Sequence, residues 1–134
     1  MARDLARRAL PLISGLFLIC LLGQVFLAGL GVFDSPSSFV THRNVGYLLG
    51  FGTLLILGVA IVARSERLVL ALSVLLLVQF ALQSVFVAMR LDAPAIAAFH
   101  PVNGVLIVLV VAAIVVLSAR PATARTSVST SPAP

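Results

Sequence analysis

Residues 34–46 read DSPSSFVTHRNVG and residues 92–104 read DAPAIAAFHPVNG. Both carry the pattern Asp-x-Pro-x5-His-x3-Gly, and the copies are offset by 58 positions, since 92 − 34 and 100 − 42 both equal 58. The only two histidines of the chain, His42 and His100, fall in that pattern. Each copy lies between two long apolar runs. The chain therefore reads as two similar helical hairpins in series, each with a histidine where its second helix begins.

The apolar runs cover about 11–32, 45–63, 68–89 and 101–118. Each is long enough to cross a hydrocarbon core of about 30 Å at about 1.5 Å per residue. Of the 134 residues 61% are hydrophobic and 10% charged, whereas soluble domains carry nearer a quarter charged. These features predict an all-α integral membrane protein, an up-down-up-down four-helix bundle in contact with the lipid bilayer. Residues 1–119 form its single four-span domain. The tail 120–134, RPATARTSVSTSPAP, has no apolar period and is expected to be disordered and cytoplasmic. The basic N-terminus resembles a signal peptide, but the apolar run from Pro11 to Val32 is 22 residues, beyond the 7–15 of a cleavable core. It reads as a retained first span.

The net charge of +5 comes from nine arginines and no lysine. They sit at the ends of apolar runs, which makes them topology signals and excludes a nucleic-acid footprint. Arg3, Arg7, Arg8, Arg64, Arg67, Arg120 and Arg125 lie on one side, Arg43 and Arg90 on the other. By the positive-inside rule both termini are cytoplasmic, the membrane is a bacterial inner membrane, and both histidine segments face outward.

Polar residues within the spans are few. Gln24, Gln79, Gln83, Asn44 and Asn103 are expected to point into the bundle, because an amide facing lipid leaves its hydrogen bonds unmade. Cys20, the single cysteine, reads as an inert packed thiol. Gly46 and Gly50 begin a glycine face on the second span, suited to close packing within the bundle or across a homo- or hetero-oligomer. Gly46 and Gly104 each follow a histidine by one turn, leaving room on that face for a flat ligand. Pro101 suits a first helical position, so His100, and His42 by equivalence, are expected as helix caps. Asp34 and Asp92 mark where the odd-numbered helices emerge, with Pro36 and Pro94 ending the helical path.

Two histidines at matched places and equal depth point to one shared ligand. In such a bundle the second and fourth helices are diagonal, about 11–14 Å apart if neighbouring axes are about 8–10 Å apart. Two imidazoles reaching inward across that gap suit the metal of a macrocycle, which makes His42 and His100 candidate axial ligands of a haem b used in electron transfer. Asn44, Asn103, Gln24 and Gln83 are candidate polar partners, and Arg43 and Arg90 candidate counter-charges for the propionates. Alternatives are a metal ion held by His42 and His100 with Asp34 and Asp92, a quinone bound by the histidines, or a non-catalytic structural or assembly subunit whose histidines merely cap helices. The sequence holds no nucleophile with an adjacent base and no phosphate loop. An enzyme acting alone is thus the least supported class.

At HRNVGYLLG (42–50) and FHPVNGVLI (99–107) the chain resembles a family of small, uncharacterised four-span membrane proteins of actinobacterial type, with HRxxGYLL opening the second span and HPxNxLLI the fourth. That resemblance spans residues 10–120 and implies the fold rather than an activity. A looser likeness is to one half of the haem A synthases, whose four-helix halves use histidines at the outer ends of the second and fourth helices around haem. His42 with Arg43 resembles their His-Arg pair. His100 is followed by Pro101, and Phe39, Val40 and Thr41 stand where their glutamate is expected. Those departures speak against haem A synthesis and leave a cytochrome-like site.

Overall fold

The computed structural model describes residues 1–120, nearly all of them helical. The elements are α1 (Ala2–Phe33), α2 (Ser38–Val62), α3 (Arg67–Ala88), the single turn α4 (Pro94–Ala97) and α5 (Phe99–Ala119). Four stretches are long and apolar enough to cross a membrane: α1, α2, α3 and the α4–α5 unit from Pro94 to Ala119. Around the bundle α1 packs on α2 and α5, and α3 packs on α2 and α5. The diagonals are thus α1 with α3 and α2 with α5, as an up-down-up-down order requires. The outer surface is a coat of Leu, Val, Ile and Phe side chains such as Leu12, Leu16, Ile19, Phe51, Val105 and Leu109. Such a surface is tolerated only against hydrocarbon, and the protein is a multi-pass membrane protein. The tail expected to be disordered lies, apart from Arg120, outside the described residues.

The helices begin earlier than hydropathy alone indicates. α1 runs through Pro11 to Ala2, because ARDLARRAL is rich in strong helix formers. Its 32 residues make about 48 Å of helix, so about three turns project beyond a hydrocarbon core of about 30 Å. α2 begins at Ser38 and α5 at Phe99, so His42 and His100 lie within their helices and are not the caps expected. Pro94 also departs from expectation, opening the turn α4 instead of ending a helical path.

The end of α2 shows how local chemistry closes a hairpin. Ser65 N–H donates to the Ala60 carbonyl at 3.1 Å and Arg64 N–H to that of Ile61 at 2.9 Å, the paired bonds of a Schellman cap. Arg64 occupies the left-handed position at φ 49°, where glycine is usual and another residue costs about 1–2 kcal/mol. From α1, Arg7 Nε donates to the Ala63 carbonyl at 3.1 Å, answering one more of the orphan carbonyls that end a helix.

Burial follows the duplication. In α1 Leu10, Ser14 and Phe17 are buried, and in α3 so are Val69, Ser73 and Leu76, each pair 59 positions apart. In α2 and α5 the buried pairs Thr53 with Val111 and Ile56 with Ile114 are 58 apart. The offset changes because the first copy has one residue more between Gln24 and Asp34 than the second has between Gln83 and Asp92.

Candidate functional site

The histidines come together. His42 from α2 and His100 from α5 face each other across a diagonal with ring centroids 6.2 Å apart and planes at 74°. As the fifth residue of α2 and the second of α5, each ring sits within about a turn of its helix start, at the end of the bundle away from Ala2 and Ala119. Phe39 stands edge-on to His42 at 6.4 Å, filling the space that Gly31 leaves on α1, where an added Cβ would meet its ring at 2.7 Å. Deeper in the bundle the other diagonal is closed by Phe17 and Phe80, centroids 6.0 Å apart. The site therefore has an aromatic floor above a core of Leu76, Ile107, Val111 and Ile114.

Each ring is oriented by the helix before it. His42 Nδ1 lies 3.0 Å from the main-chain oxygen of Gln24, and His100 Nδ1 lies 3.3 Å from that of Gln83. A carbonyl only accepts, so these bonds put the ring proton on Nδ1 and leave Nε2 with a lone pair. At His42 a second partner competes. The Gln24 amide is satisfied when its oxygen accepts from Gly46 N–H at 2.8 Å and its nitrogen donates to the His42 carbonyl at 3.0 Å. That orientation also sets its nitrogen 2.7 Å from His42 Nδ1, a contact that needs a bare Nδ1 and the proton on Nε2. His42 thus has two tautomers supported by one glutamine, while the carbonyl at His100 supports one.

The other sequence candidates divide. Gln24 and Asn103 are buried and Gln83 is half-buried. Asn103 Nδ2 donates to the main-chain oxygen of Gln79 at 2.8 Å, tying α5 to α3. Asn44, expected to point inward, is exposed. The reason is register: Asn44 and Asn103 are 59 apart on helices whose buried faces repeat at 58, and one residue turns a side chain by about 100° around a helix. Gly46 and Gly104 lie behind the histidines, and the space of each adjoins a glutamine amide. An added Cβ would stand 4.0 Å from that of Gln24 at Gly46, and 3.3 Å from Gln83 Nε2 at Gly104. Arg43 and Arg90 are exposed at the histidine end, with Arg90 Nη1 on the Val87 carbonyl at 3.3 Å. Asp34 and Asp92 are exposed as well. Among the described residues no three His, Cys, Asp or Glu side chains gather as a metal-ion set.

Sequence reasoning gave Gln79 no role at the site, yet it is buried and one turn from Gln83. The signal was the spacing of the two glutamines, four apart on one face of α3. Chemically, the arrangement offers two imidazole lone pairs across the bundle, ring orientations fixed from the main chain, and a wall of amides on α1 and α3.

Residues 24–89 are similar to a family described as of unknown function (DUF6220). The match takes in the end of α1, all of α2 and α3, and His42, and stops short of His100. No curated protein and no solved structure matches the chain.

Proposed function

We propose that His42 and His100 are the axial ligands of a haem b, and that the protein is a small cytochrome b-like carrier of electrons in the membrane. The observation that carries this reading is the 6.2 Å between ring centroids. With metal–imidazole bonds of about 2.0–2.1 Å and a ring centre about 1 Å beyond the nitrogen, two axial imidazoles hold their centroids about 6 Å apart. The donor set agrees, because metal-bound histidines characteristically give their other N–H to a carbonyl or carboxylate, and Nδ1 of each ring has a main-chain oxygen within reach, at His42 in one of its two tautomers.

His42 and His100 would hold the haem, which would supply reversible one-electron chemistry there. The work of the chain is binding and orientation. The carbonyls of Gln24 and Gln83 hold the rings in the tautomer with Nε2 bare, and binding selects that tautomer at His42. Phe17 and Phe80 shield the site from below, and Arg43 and Arg90 stand at the end where propionates would meet water. In this reading seven arginines against two keep both termini in the cytoplasm and the histidine end outside, facing a redox partner or quinone.

The test is the absorption spectrum of the full chain purified from haem-replete cells. A Soret band lost in His42→Ala and in His100→Ala supports the proposal. Colourless, folded protein overturns it and favours a structural or assembly subunit. The observation behind that second reading is the edge-on contact of the two rings, which makes the pair able to close on itself.

A further inference from the structure

α3 carries a polar face left unanswered beside the histidine site. Gln79 is more than nine-tenths buried, and its Oε1 has no hydrogen-bond partner among the described residues. Gln83 Oε1, one turn further along, is buried and unpartnered in the same way. Residues four apart share a helix face, and α5 packs on this one. Asn103 on α5 gives its Nδ2 to the main-chain oxygen of Gln79, and His100 Nδ1 bonds that of Gln83. One N–H of Asn103 and Nδ1 of His100 are thus engaged with the backbone, and neither side-chain oxygen has a donor among the described residues. Buried acceptors are nearly always matched, so the pair asks for a donor from outside the chain.

The matching positions of the first hairpin, 59 residues earlier, hold Cys20 and Gln24. The Gln24 amide is fully answered by the backbone of α2. At these matched positions the missing donor therefore belongs to the second hairpin; the unpartnered Ser14 Oγ of the first lies elsewhere on α1. A cation is disfavoured at membrane depth, and a carboxylate such as a propionate would set acceptor against acceptor. A neutral O–H is what remains. A water or a hydroquinone carries two O–H groups, one for each of these acceptors, and each O–H···O bond is about 2.7–2.8 Å long.

We propose that Gln79 and Gln83 form a binding site for a neutral hydroxyl donor, supplied by a trapped water or by a membrane-soluble hydroquinone. The site needs no metal and stands apart from the haem reading. Duroquinol is the probe, titrated into the full chain in lipid nanodiscs while circular dichroism follows the thermal midpoint. A hydroquinone source gives a saturable rise in midpoint that is absent in Gln79→Leu and Gln83→Leu. Duroquinone, which brings acceptors but no donor, leaves the native midpoint unchanged, and this control needs no variant. A water source gives no duroquinol shift. Instead it gives magnetisation transfer from water to the side-chain amides of Gln79 and Gln83 in solid-state NMR, lost at each when the other is replaced by leucine. Either result supports the site and names the source. A midpoint indifferent to duroquinol together with no water transfer overturns it. The Soret absorbance of the same samples is recorded separately, so a colourless protein that still meets either criterion retires the haem and keeps the hydroxyl site.

Discussion

The two hairpins share a scaffold and differ in how their polar groups are answered. Buried positions repeat at offsets of 58 and 59, and each histidine takes the main-chain oxygen of a glutamine on the preceding helix. In the first hairpin the Gln24 side chain then completes its bonds on the backbone of α2. In the second, Gln79 and Gln83 keep unpartnered oxygens, and Asn103 ties α5 to α3. The repeated pattern thus gives a symmetric frame, and a handful of side chains make its site one-sided. Packing tolerates copying because it depends on volume and face. Hydrogen bonding does not, because a donor turned by 100° is lost.

The largest expected effect treats the halves as equal. If the two rings hold one metal, His42→Ala and His100→Ala each abolish the Soret band completely, since neither half binds alone. A variant that keeps full absorbance would break the equivalence at its most important point. Next come the paired core residues Ile56 and Ile114, both fully buried. Ile→Ala costs about 2–5 kcal/mol in soluble cores. In lipid it is the packing rather than the transfer from water that is lost, so both variants should fall near the lower end of that range and within error of each other. Reversible unfolding in mixed micelles measures this.

Gly52 sharpens the comparison further. An added Cβ there meets the Phe17 ring at 2.7 Å, and overpacking costs about 1–3 kcal/mol. The matching positions of the second hairpin carry Leu76 for Phe17 and Val110 for Gly52, so a large-plus-small pair in one half is two middle-sized residues in the other. Gly52→Ala is expected to destabilise, and the double change Phe17→Leu with Gly52→Val, which copies the second half, to recover most of the loss. Gly58→Ala, with nothing within 4 Å, should be neutral or stabilising by up to about 1 kcal/mol through helix propensity. These are again read by unfolding in micelles.

The four spans and the diagonal placement of the histidines were legible because length, hydropathy and loop size leave one compact arrangement for such a chain. Helix starts were not, since ARDLARRAL and SFVTH are polar enough to leave the hydrocarbon yet helical by propensity, and hydropathy reports only the first property. The 6.2 Å approach of the rings was also out of reach. It depends on which way each imidazole leans, and that is set by carbonyls of Gln24 and Gln83, which carry no side-chain signature. Gln24 and Gln83 were found as polar residues in apolar helices, whereas their division into answered and unanswered amides needed coordinates.

Asn44 and Asn103 give the smallest effect and the cleanest test of the register argument. In the sequence they look equivalent, two and three residues after a histidine. In the structure that single residue sends Asn44 to the surface and Asn103 onto the Gln79 carbonyl at 2.8 Å. Side-chain hydrogen bonds between membrane helices average about 0.6 kcal/mol and reach about 1.7 kcal/mol. Asn103→Leu should therefore lose an amount in that interval, while Asn44→Leu should lose nothing and gain slightly if its face meets lipid. Moving the asparagine by one place, as Asn103→Val with Val102→Asn, should cost as much as removing it, because the amide then turns away from α3. If the shifted asparagine instead restores stability, the faces are not fixed as described, and the one-residue difference between the two offsets has no structural meaning.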